Sequence, residues 1–242
     1  MLKGFLIALV LSMGFSMSAP SGLPFYKGIA EDIHSQKRDK ENSNKDIFIT
    51  LEAKELGIET KGKEIDQLEK EVMEAKMKQA ANELGINTEG KDMKELSKEV
   101  HHAKVKQKAA ELGIETEGKE PKELAEEVYE AMLKQKAEEL GISTEGKNAK
   151  KLKKEVFEAS VKRKAEELGI ETEGKDPRDL NKEIYNKKVF QTAEALGIKT
   201  KDKDTQEIMD EIMQEHAEKA KQLGLFPFEE RNGKLFWGHH KK

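Results

Sequence analysis

Six lysines recur in one setting. Lys63, Lys91, Lys119, Lys147, Lys175 and Lys203 each close a stretch of the form Leu-Gly-Ile-x-Thr-x-Gly-Lys, degenerate only in the last copy, LGIKTKDK. A glycine bend, an ammonium group and a following helix N-terminus can together hold an anion such as phosphate or a polyanionic polymer, because the lysine supplies charge and the backbone N–H groups supply donors. A second recurrent residue competes for the same ammonium groups. Glu71, Glu99, Glu127, Glu155, Glu183 and Glu211 stand eight residues beyond the six lysines. An ion pair there would pin each loop to its own second helix, and the constant spacing favours that pairing over an anion site.

Other chemistry-bearing residues are few. Phe226, Phe228, Phe236 and Trp237 cluster near the C-terminus, as a partner patch or as a hydrophobic lid on the last helix. His101-His102 and His239-His240 are adjacent pairs, and neighbours in a helix do not converge on one metal. Glu115, Glu117 and Glu120 lack the Asp-rich series of a calcium loop. No nucleophile–base pair, strand–loop–helix phosphate site or His-Glu-x-x-His stands out. The sequence therefore argues against an enzyme, and no cofactor or metal site is expected.

The elements that position the lysines follow from spacing. The first glycines of the six stretches are Gly57, Gly85, Gly113, Gly141, Gly169 and Gly197, so the period is 28 residues (85 − 57). Each is placed to take the left-handed conformation that stops a helix. After each lysine comes Glu64, Asp92, Glu120, Asn148, Asp176 or Asp204, at the N-cap of the next helix, with Pro121 and Pro177 at the first helical position. Asp92 with Glu95, and Asp204 with Glu207, have capping-box spacing.

Between loops, each run of about 20 residues presents two apolar sets. Leu124, Val128 and Ala131 lie on one face; Tyr129, Leu133, Ala137 and Leu140 lie roughly 160° around the helix. Each helix thus buries nearly opposite faces in its two halves. The economical solution pairs the C-terminal half of one helix with the N-terminal half of the next. The expectation is an all-α array of tandem 28-residue helix–extended-loop–helix repeats that share helices, elongated or solenoid-like.

The array is expected over residues 46–221, with a divergent aromatic cap over 222–242. Residues 1–18 read as a secretory signal peptide: Lys3, then the apolar run Phe5–Met17, then small residues at the cleavage point. Residues 19–45 read as a flexible linker. The chain has no cysteine, 38% charged residues and a net charge of −4, which gives no global attraction to nucleic acid or an anionic membrane. With aromatics at only 5%, one large core is not available.

From Glu55 to Leu68, and in the equivalent stretches, the pattern helix-Leu-Gly-Ile-x-Thr-x-Gly-Lys followed by an early Leu resembles the helix–extended-loop–helix motif of SAP, LEM-like and Rho N-terminal-like domains. The resemblance implies a short helix, an extended loop and a second helix that packs back; in SAP-type domains a basic surface binds DNA. Here Glu89, Glu117, Glu145 and Glu173 flank the loop glycines, against that use. The chain is also similar to secreted repeat proteins of Gram-positive bacteria. The expected function is that of an exported, non-enzymatic repeat protein, secreted or at the cell surface, acting as an interaction or spacer module. Its partner would be a protein or an envelope polymer, without stable membrane insertion once the signal is removed. The alternative is polyanion binding, to nucleic acid or wall polymer, through the loop lysines.

Overall fold

A computed structural model describes residues 36–229. The signal-peptide reading of residues 1–18, the pair Phe236 and Trp237, and His239-His240 lie outside the described residues. The described chain is all-helical: α1 (Gln36–Glu55), α2 (Ile65–Glu83), α3 (Met93–Glu111), α4 (Pro121–Glu139), α5 (Ala149–Glu167), α6 (Pro177–Leu196), α7 (Thr205–Glu215) and α8 (Ala217–Gln222). α1 starts ten residues before the expected edge of the array. Residues 36–45 carry no apolar side chain, which reads as linker, but Gln36, Lys37, Arg38, Lys40, Glu41 and Lys45 are good helix formers, and the stretch extends a helix already nucleated downstream.

Helix ends follow from local chemistry. After α1, the Gly57 N–H bonds the Lys54 carbonyl at 3.1 Å and the Ile58 N–H bonds the Ala53 carbonyl at 2.8 Å. This is the paired 5→2 and 6→1 closure of a Schellman motif, with Gly57 at φ +69°. Ile58 thereby folds back over the last turn. The same 6→1 bond recurs from Ile86, Ile114, Ile142, Ile170 and Ile198. The next helices start at Glu64, Asp92, Glu120, Asn148, Asp176 and Asp204, all in extended conformation. Asp204 and Glu207 form a complete capping box.

Each helix shares itself between two cores. Leu96 and Val100 in the first half of α3 join Ala80 and Ala81 of α2. Val105 and Ala109 in its second half join Leu124, Ala125 and Val128 of α4. Leu133 and Ala137 then join Leu152 and Val156, and Val161 and Ala165 join Leu180 and Ile184. Burying one Val or Leu contributes about 1.5–3 kcal/mol, too little for the few in each core to order a unit alone. Shared helices supply the coupling.

Of the elongated and solenoid-like courses open to such a chain, this one takes the second and curves until its ends meet. Each helix packs on its predecessor and successor, and α1 packs on α7. The last shared helix differs from the others. Gly224 follows Gly197 by 27 residues, one short of the repeat (224 − 197). One missing residue would rotate the remainder of a continuous helix by about 100°. The helix instead breaks at His216, and α8 resumes in register with Gly224, so that Ala220 fills the fully buried slot of Ala137 and Ala165.

Two substitutions test this account. Gly113→Val should cost about 1–2 kcal/mol, because φ there is +69° with open space around the added carbon, so the penalty is conformational. Asp202 is the only non-glycine at positive φ among the described residues, in the slot of Gly62, Gly90, Gly118, Gly146 and Gly174. Asp202→Gly should stabilise by about 0.5–1 kcal/mol. Urea titrations of both variants measure the signs.

Candidate functional site

The six lysines stand at the exit of a turn built by their own loop. In the first loop the Lys63 N–H points to the Thr60 carbonyl at 3.4 Å across Gly62, at φ +75°, the left-handed third position of a β-turn. The turn aims the lysine side chain along the next helix. There every one of the six meets a carboxylate: Lys63 on Glu71, Lys91 on Glu99, Lys119 on Glu127, Lys147 on Glu155, Lys175 on Glu183 at 2.7 Å, and Lys203 on Glu211. Lys63, Lys91, Lys119 and Lys147 are exposed by a quarter or less of their side chains. An incoming anion would have to displace a glutamate already in place.

Four of the six helix N-termini beside them carry their own acceptors, while Glu64 and Glu120 make no side-chain cap. The side chains of Asp92, Asn148 and Asp204 accept the N–H groups of Glu95, Lys151 and Glu207. Asp176 accepts from Asp179 and Arg178, and those N–H groups hold its carboxyl below the usual carboxylate range. The lysine is therefore engaged within the chain in all six units and the helix N-terminus in four of them. What the loops leave to solvent is the x positions. Glu59, Lys61, Asn87, Glu89, Glu115, Glu117, Ser143, Glu145, Glu171, Glu173, Lys199 and Lys201 are all exposed.

The glycines named from the sequence all serve backbone geometry: Gly57, Gly85, Gly113, Gly141, Gly169 and Gly197 lie between φ +68° and +76°. Of the four aromatic residues named from the sequence, the two described ones, Phe226 and Phe228, pack against the chain. Phe226 and Phe228 are half-buried against the core of α6 and α7. Phe228 meets Phe48 of α1 in a tilted pair with ring centroids 4.8 Å apart, and Phe226 meets Tyr185 edge-on at 5.6 Å. Lys188 lies 5.5 Å over the Phe226 ring and pairs with Glu229. These rings join the C-terminal segment to α1 and α6 and are spent on packing.

His101 and His102 are half-buried in α3, and Glu115, Glu117 and Glu120 are exposed. One grouping of metal-ligand type escapes the sequence. Glu211, Glu215 and His216 bring ligand atoms within 4.8 Å of one another. A continuous helix would set residues 211 and 216 about 140° apart; the break at His216 brings them together. Lys203 already holds Glu211, so a cation there meets an ammonium group. A shallow groove of about 400 Å³ runs between the fourth and fifth loops, α5 and α6, lined by Ile142, Glu155, Glu158, Lys162, Lys175 and Leu180. No described helix is long and apolar enough to cross a membrane. No protein-family model, curated protein or solved structure matches the chain.

The first loop's ion pair carries a pH signature. Lys63 and Gln67 beside Glu71 hold its carboxyl below the ordinary range. A carboxylate depressed in the fold contributes stability above its unfolded pKa and loses it as pH falls through the folded one. Melting temperature should therefore drop on acidification from pH about 4.5 downward. Lys63→Met should move the Glu71 titration, followed by side-chain NMR, back up towards the ordinary value. A double-mutant cycle on Lys119 and Glu127 should return a coupling of about 0.2–1 kcal/mol, as for a partly exposed pair.

Proposed function

We propose that the chain is an exported, non-catalytic interaction module that displays six near-identical loops to an extracytoplasmic protein or an envelope polymer. One observation carries this reading: the loop frame is constant, and the residues that vary from loop to loop are exposed. Schellman glycine, turn and Lys–Glu pair repeat in all six units, while the x positions change from acidic at Glu89, Glu117, Glu145 and Glu173 to basic at Lys199 and Lys201. A rigid frame that repeats a weak contact gains avidity without any strong single site. Export rests on the apolar run behind Lys3 and the small residues after it. We put interaction ahead of a spacer role because the packing of α1 on α7 brings the ends of the described array together.

The likeness to SAP, LEM-like and Rho N-terminal-like motifs is local, and the engaged lysines weaken the polyanion alternative that comes with it. The test uses the chain from residue 19 onward, immobilised and exposed to envelope extract. A bound component should be captured and then lost when Glu89, Glu117, Glu145 and Glu173 are changed together to Lys. Capture indifferent to that reversal contradicts the reading. Retention on heparin that falls steeply with salt and disappears on changing the six loop lysines to Gln would favour the polyanion alternative. Intact mass of the protein from culture medium, short by the first 18 residues, tests export.

A further inference from the structure

The junction between α1 and the α7–α8 pair is made of different material from the six junctions between consecutive helices. Five of those six are held by small aliphatic cores behind their loops, and the α6–α7 junction by a larger core with Met209 and Met213 on which Phe48 of α1 also packs. At the seam, α1 carries Asn44 in the slot that holds the core residues Val72, Val100, Val128 and Val156. Asn44 donates to Asp210 of α7, which also accepts from Gln206. Asp210 is buried, although its counterparts Lys70, Lys98, Glu126, Lys154 and Lys182 are exposed. At the C-terminal end of α1, two exposed or half-exposed ion pairs reach α8, Lys54–Glu218 at 2.6 Å and Lys221–Glu55 at 2.7 Å. The apolar part comes from α1. Phe48 and Leu51 replace the repeat residues Lys76, Lys104 and Gln79, Gln107, Gln135. Phe48 meets Phe228, and Leu51 is buried.

We propose that this seam is an exchangeable clasp, and that opened chains pair with a second copy of the same chain by trading α1 across it. Freeing α1 parts it from α2 as well as from α7 and α8, with residues 56–64 as the hinge, and leaves the packing of α2 through α8 on one another in place. The face uncovered on α7 and α8 is complementary to α1, and the only other source of an α1 is another copy. Exchange reproduces every contact of the closed chain, so the dimer differs from two monomers mainly in entropy. An intramolecular end has an effective concentration of order mM, so exchange requires concentrated protein and time. Asn44, Asp210 and the two ion pairs fix which face α1 presents and limit non-specific end-to-end stacking.

The chain has no cysteine, so Lys54→Cys with Glu218→Cys places a unique pair across the seam at two exposed positions. Isotope-labelled and unlabelled copies of this variant are mixed at high concentration, incubated in sub-denaturing urea and returned to buffer. Native mass spectrometry should show a mixed dimer. A short bis-maleimide added afterwards should give at least tenfold more covalent dimer on a denaturing gel than in the sample kept dilute. Cross-linking before mixing should abolish the mixed dimer. Absence of any mixed dimer overturns the proposal. Mixed dimers that form equally well from the pre-cross-linked protein overturn it too, because they use another surface.

Discussion

The left-handed glycine at the end of each helix is the constraint from which the other features follow. At φ near +70° the Gly113 backbone lets the Ile114 N–H reach back to the Ala109 carbonyl at 2.8 Å. That bond satisfies an orphan carbonyl and folds Ile114 onto the last turn. The chain then leaves at a fixed angle, turns at Gly118 and enters α4 at Glu120. Val105 and Ala109 are thereby set against Leu124 and Val128. Each helix receives one partner from behind and one from ahead, and must be apolar on nearly opposite faces. The Lys–Glu pair adds little energy at this exposure. Its contribution is registration: it ties the turn to the helix that follows, and it does so six times.

Constant geometry at each loop makes curvature accumulate, and the ends arrive together. Two exposed apolar ends would be a hazard for any repeat array. This chain answers it at α1, where Asn44 and Asp210 stand among Phe48, Leu51 and Phe228. The deletion before Gly224 and the break at His216 belong to the same solution, since they let α8 turn towards the residues of α1 that pair with Glu218 and Lys221.

The repeat period, the helix ends at the six loops and the split faces were legible in the sequence, because each is written in strong local signals: glycine for φ, Asp or Asn for caps, and apolar spacing for faces. The ion-pair partner of each loop lysine was legible from constant spacing. Three features were not. The helical character of residues 36–45 was hidden because that stretch has no apolar marker. The cluster of Glu211, Glu215 and His216 depends on a break that local propensity does not announce. Closure was missed because α1 and α7 lie about 160 residues apart and no periodicity links them. The available clue was comparative: Asn44 in a valine slot, Phe48 in a lysine slot and Leu51 in a glutamine slot.

The central claim is that a 28-residue loop geometry, repeated six times, brings the first helix onto the last. Spin labels at positions 54 and 218, both on exposed side chains, test it most directly in dilute protein, with the pair distance read by double electron–electron resonance. The account predicts one narrow, short distance, as between neighbouring helices. A long distance, as between opposite ends of an open array, would contradict it.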